Sequence, residues 1–220
     1  MANCGSISVP EIPEKEKFLN ACKEFDKYSE YDSFYKVSTE HISKNWNNRR
    51  EMTIGTGVIL LTWNFPYYRK LYGSLKFEKL EHCINKNFVG LNSFRGRDIS
   101  ILSENDEQLI RSLFNDFLEA SMSQSRKDKG KSPVSVAKAL HVLVPTFFPM
   151  WDSNIAPAYK QNYYNGKPEE KYISFCKQIK CIYEHIAKYE DVISYASNSN
   201  KTLIKLIDEY NYSKYTGKWI

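Results

Sequence analysis

No apolar run in this 220-residue chain approaches the ~18 residues that a membrane-spanning helix needs; the longest candidate is Gly57 to Trp63. Only 9 Gly and 8 Pro are present, which excludes collagen-like and low-complexity chains. The five cysteines, Cys4, Cys22, Cys83, Cys176 and Cys181, are odd in number, scattered and without a CxxC pair. A disulfide framework is therefore not expected. Cys181 and His185 share a helix face, but no further ligand accompanies them, so small core residues beside a polar His read better than a zinc site. P-loop, Rossmann, nucleophile-elbow, kinase and HExxH patterns are all missing. Neither a metal nor an organic cofactor is expected. The N-terminal residues, MANCGSISVPEIPEKEK, lack the basic start and apolar stretch of a signal peptide. The expectation is a soluble, intracellular protein with no membrane partner.

What is present is globular: 42% hydrophobic, 15% aromatic and 26% charged, too apolar for a disordered chain. The net charge of +5 is a mild basic bias that nucleic acid would tolerate without being required by it. Much of that bias sits between Ser123 and Lys138, where Arg126, Lys127, Lys129, Lys131 and Lys138 face only Asp128. This segment reads as a solvated loop or as a phosphate contact.

Apolar spacing is helical almost throughout. Phe18, Leu19, Cys22 and Phe25 form one stripe, and Met52 to Trp63 is apolar nearly all round, as a buried helix would be. Gly55 and Gly57 weaken its start and let another backbone approach; its β-branched residues leave a short strand as the alternative. Pro66 breaks the chain before a helix carrying Phe77, Leu80, Cys83 and Ile84. Leu109, Ile110, Leu113, Phe114, Phe117 and Leu118 make the clearest amphipathic helix, with Ser103 and Asp106 as a capping box. Ser132-Pro133 opens another, an aromatic turn between Pro145 and Pro149 follows, and a short helix begins near Ser153. Pro168 opens a long helix, and Leu203, Ile204 and Ile207 mark the last. The chain is expected to be all-α, a single globular unit spanning 1–220.

One dense stretch, Lys127 to Tyr159, could carry chemistry. A basic loop runs into the Ser132-Pro133 helix start, where free backbone N–H groups favour an anion. One helix later, Asp152 follows Phe147, Phe148 and Trp151. A carboxylate beside an aromatic wall suits a cationic sugar transition state, and the wall itself suits base stacking. The same residues also read as a helix cap and core aromatics. His141 reads as a hydrogen-bonded interior His, and Asn64 as the cap of the preceding helix.

Pro133-Val134-Ser135-Val136-Ala137-Lys138-Ala139-Leu140-His141-Val142-Leu143, followed by Pro149-Met150-Trp151-Asp152-Ser153-Asn154-Ile155, resembles the hairpin helix and acid segment of the helix-hairpin-helix DNA glycosylase superfamily. Gly57 to Leu61 and Phe94-Arg95-Gly96-Arg97 are similar to that family's early and middle helices, so the pattern covers roughly residues 52–160. The chain departs from the family at the hairpin glycines, which are Pro133 and Ser135, and at the reactive-lysine position, which is Ala137. Lys138 follows one residue late, a turn of about 100° on a helix. No four-cysteine cluster closes the chain.

The resemblance implies two helical lobes with a cleft between them: residues 52–131 in one, residues 1–51 plus 132–220 in the other. It implies excision of a damaged or modified base from double-stranded DNA by hydrolysis of its N-glycosidic bond, the base being flipped out of the duplex. Asp152 would be catalytic, Trp151, Phe148 and Trp63 would stack on the base, and Ser132, Val134, Lys129, Lys131 and Lys138 would hold DNA phosphates. A non-enzymatic helical domain that binds a protein or small ligand stands as the alternative, and a nucleic-acid-binding module without catalysis as a third.

Overall fold

The computed structural model describes residues 8–29, 32–70, 76–120, 131–164 and 166–220. Among them the regular elements are all helical: α1 (Lys15–Tyr28), α2 (Asp32–Lys44), α3 (Arg49–Trp63), α4 (Phe65–Lys70), α5 (Phe77–Lys86), α6 (Phe88–Phe94), α7 (Glu104–Glu119), α8 (Pro133–Leu143), α9 (Ile155–Ala158), α10 (Pro168–Ile186), α11 (Glu190–Ser199) and α12 (Leu203–Asn211). A 3-10 turn at Ile99–Ile101 and a π-helical turn at Tyr212–Thr216 complete them. No helix among the described residues is long and apolar enough to cross a membrane.

Two helices hold the centre. α3 is a helix over the whole stretch where a strand was the alternative. Its threonines fit because Thr53, Thr56 and Thr62 return their hydroxyls to the carbonyls of Arg49, Met52 and Val58, at 2.7–2.8 Å. Gly55 lets α2 lie close: a Cβ there would sit 2.6 Å from Ile42 Cγ1 and 3.2 Å from the Ser38 carbonyl. α8 is buried on nearly every side from Ser135 to Leu143, against α3, α2 and α7. The apolar interior is one contiguous cluster that draws on all twelve helices. Each large side chain fully removed from water there contributes ~1.5–3 kcal/mol.

Local chemistry sets the ends. The Asp106 carboxylate accepts the Ser103 backbone N–H and hydroxyl, both at 2.9 Å; burial pushes its pKa up, but Arg97 and the two Ser103 donors together hold it below the usual carboxylate range. Asn64 caps the C-terminus of α3, and Pro133 and Pro168 occupy first turns. Cys22, Cys83, Cys176 and Cys181 are free and buried. His185 pairs with the hydroxyl of Tyr189 at 3.0 Å.

α12 departs from what its apolar residues alone would suggest. It is buried from Ile204 to Asn211, and three of those residues, Lys205, Asp208 and Glu209, are of the charged types Lys, Asp and Glu. Lys205 Nζ meets Glu209 at 2.7 Å and Asp32 at 3.0 Å, and Lys201 Nζ meets Glu209 at 2.8 Å and Asp26 at 2.5 Å. Burial alone would lower the Lys205 pKa; Glu209 and Asp32 reverse that and hold the ammonium charged. Asp26, Asp32 and Glu209 are close enough together to resemble a cation site, but the two lysine ammoniums fill it.

Candidate functional site

A pocket of about 180 Å³ opens where the C-terminal ends of α1 and α3, the middle of α8, the segment before α9, and α12 with its π-helical extension converge. Phe25, Trp63, Trp151 and Tyr212 supply aromatic walls, and Lys138, Asp152 and Asp208 supply the polar groups. A cavity of ~150 Å³ accommodates benzene, so this volume suits one planar ring system.

Each wall has a local cause. Asp152 follows the aromatic turn and caps α9: its Oδ1 accepts the backbone N–H groups of Asn154 at 2.8 Å and Ile155 at 2.7 Å. Its Oδ2 accepts the Thr216 hydroxyl at 2.6 Å. Three donors thus fix the carboxylate while one side of it faces the pocket. Lys138 projects from α8 toward the end of α3, and its ammonium donates to the Trp63 carbonyl at 2.6 Å. That carbonyl is one of the last-turn acceptors a helix leaves open, and a cation is favoured there. Burial lowers the Lys138 pKa to about 8 against the opposing pull of Asp152 and Asp208.

Asp208 differs from both. It is 9% exposed, lines the pocket, and its carboxyl group makes no hydrogen bond or ion pair among the described residues. Burial, with Glu209 and Asp152 adding to it, raises its pKa to about 7 against the pull of Lys205 and Lys138.

The sequence-derived site residues divide. The pocket brings together Asp152, Trp151, Trp63 and Lys138. Trp63 stacks on Tyr35, with centroids 5.5 Å apart and planes 15° apart. Trp151 is only 1% exposed, because its ring packs among Phe114, Tyr163, Tyr172 and Phe175 and its Nε1 donates to the Pro133 carbonyl at 3.1 Å. It offers the pocket a margin rather than an open face. Phe148 lies outside the pocket, fully buried against Phe94 and Phe147.

The groups expected to hold phosphate are engaged within the protein. Ser132 Oγ caps α8 through the Ser135 N–H at 3.2 Å and accepts Asn64 Nδ2 at 3.3 Å; the same Nδ2 reaches Ser135 Oγ at 2.6 Å. Val134 packs against the core, Lys131 is paired with Glu119, and Lys138 points inward. Lys129 lies outside the described residues. The one-residue offset of Lys138 has a structural consequence: Ala137 is sealed in the core, and the lysine, not the alanine, reaches the pocket.

His141 is sealed nearby. Its Nδ1 is 2.7 Å from the Phe148 carbonyl, which only accepts, so Nδ1 carries the proton and Nε2 accepts the Tyr35 hydroxyl at 2.9 Å. Burial lowers its pKa to about 3, so it is a neutral structural residue.

Phe25, Asp208, Tyr212 and Thr216 were not among the sequence-derived candidates. The available signal was the Lys205, Asp208, Glu209 spacing of i, i+3, i+4 on an otherwise apolar helix. No family model, curated protein or solved structure matches the chain.

Proposed function

We propose that this pocket is the site of a base-excision enzyme that hydrolyses an N-glycosidic bond, as the helix-hairpin-helix resemblance implies. The observation that carries the reading is the presence of Asp152 and Lys138 on one aromatic-walled pocket sized for a single planar base. In this reading residues 52–131 and the remainder act as two lobes around it, and double-stranded DNA presents one flipped nucleotide.

As the glycosidic bond breaks, its electron pair leaves with the base and positive charge develops on the sugar. The Asp152 carboxylate, immobilised by Asn154, Ile155 and Thr216, is preorganised to stabilise that charge. Water then adds to the sugar carbon and gives up a proton to the carboxylate. Trp63 and Tyr212 border the base, and Tyr212 also forms, with Tyr28 and Trp219, an aromatic cluster on the surface beside it. The Ser132 hydroxyl is already engaged by the Ser135 N–H and by Asn64, so in this reading it does not hold a DNA phosphate.

The test is a panel of duplexes, each with one altered base, assayed for abasic sites with and without a chelator. At least one duplex should be processed in both conditions; a folded protein that processes none refutes the reading. A second reading, a non-enzymatic pocket for a planar ligand, is favoured by the structural use of both Asp152 oxygens and of the Lys138 ammonium.

A further inference from the structure

Of the three charged side chains that line the pocket, Lys138, Asp152 and Asp208, only Asp208 makes no side-chain hydrogen bond or ion pair among the described residues. Both Asp152 oxygens are occupied, one by two backbone N–H groups and the other by Thr216. The Lys138 ammonium is committed to the Trp63 carbonyl. On α12, Lys205 is committed to Glu209 and Asp32, so Asp208 is not its counterion. Asp208 is nevertheless more than nine-tenths buried. Buried polar groups are almost always paired, and one left open on a pocket wall is paired by what enters the pocket.

We infer that Asp208 is the recognition group of this pocket, and that its ligand is a planar nitrogen heterocycle with an amidine edge: a basic ring nitrogen beside an exocyclic amine, as on adenine and cytosine. The inference rests on the base-excision reading for the identity of the ligand as a nucleobase. A carboxyl group that keeps its proton offers one O–H donor and one carbonyl acceptor in a plane. An amidine edge offers the complement, a ring-nitrogen acceptor and an N–H donor. The pair forms two parallel hydrogen bonds, and transfer of the proton to the ring nitrogen yields a paired ion rather than a lone buried carboxylate. A lactam edge, as on hypoxanthine or uracil, also has a donor and an acceptor, but its carbonyl is too weak a base to take the proton. The surroundings favour the same choice. Asp152 contributes a second carboxyl group to the wall, so the two acidic side chains there outnumber the single Lys138 ammonium.

Two isosteric pairs test this by isothermal titration calorimetry on the whole chain: adenine against hypoxanthine, and cytosine against uracil. The amidine member of at least one pair should bind about tenfold or more tightly than its lactam partner. Asp208→Leu should weaken that member by a similar factor. Asp208→Asn, whose amide pairs with either edge, should bring the two members to within about threefold of each other. Equal binding within both pairs by the wild-type chain, no binding by any of the four, or a preference that survives in Asp208→Leu overturns the inference. The wild-type comparison needs no variant and so does not depend on how the variants fold. Amidine-selective binding without abasic-site formation would leave Asp208 as a recognition group and remove the enzyme. Excision of a lactam base with no amidine preference would do the reverse.

Discussion

Asp208→Asn isolates the cost of an unpaired buried carboxylate while keeping the side chain's shape. The carboxyl pKa rises from 3.8 to about 7 because burial disfavours the anion more than Lys205 and Lys138 favour it. Between those two values the native state binds the proton more tightly than the unfolded chain. Stability contributed by this group is therefore complete below about pH 4 and is lost as pH rises through 7. At ~1.36 kcal/mol per pH unit, the loss amounts to roughly 4 kcal/mol, a large share of the ~5–15 kcal/mol that holds a domain together. Asparagine carries no charge at any pH. The variant should lie within about 1 kcal/mol of the wild type near pH 4.5 and exceed it by several kcal/mol at pH 8. Urea denaturation of both proteins at the two pH values measures this as a difference of differences, in which other titrating groups largely cancel. A wild-type-to-variant difference that is the same at both pH values refutes the assignment of Asp208 as buried and unpaired.

Three further outcomes follow from the packing. Lys205→Met leaves Glu209 with only Lys201, and Asp32 with only a longer contact to that lysine; thermal or urea unfolding should register a loss of ~3–5 kcal/mol. His141 is held neutral with a pKa of about 3 against an ordinary 6.5, so the unfolded chain takes up a proton first and stability falls as pH drops below about 6.5. Relative to His141→Gln, the wild type should lose ground steadily from pH 7 to pH 4, and a pH-independent gap would contradict the buried neutral ring. Gly55→Ala drives a methyl group into Ile42 Cγ1 and toward the Ser38 carbonyl, and should cost ~1–3 kcal/mol in urea denaturation, whereas a stabilised variant would mean that α2 and α3 are not in such close contact.

Helices announce themselves where period and punctuation agree. Ser132-Pro133, Ser103 with Asp106, and Pro168 each begin a helix where their chemistry demands one, and the apolar spacing of residues 109–118 carries straight into α7. Met52 to Trp63 left strand and helix open because β-branched residues serve both; the return of three threonine hydroxyls to i−4 carbonyls is what a helix adds. Asp152 and Trp63 were legible as site candidates because an acid beside aromatics is a local pattern. Phe148 belonged to the same pattern, yet the turn between Pro145 and Pro149 directs it into the core. Lys138 was legible as a cation but not as an inward-facing one, since its direction depends on where the open carbonyl of α3 ends up. Asp208 was hidden for a different reason. An Asp in Leu-Ile-Asp-Glu-Tyr reads as a solvated helix residue until the rest of the chain closes around α12.

Single-turnover excision by the wild type and by Asp152→Asn, on a duplex that the wild type processes and at protein concentrations where both bind it equally, measures the central assignment most directly. Base release should vanish in the variant, with DNA affinity little changed. Release at an undiminished rate would show that the Asp152 carboxylate does nothing beyond capping α9.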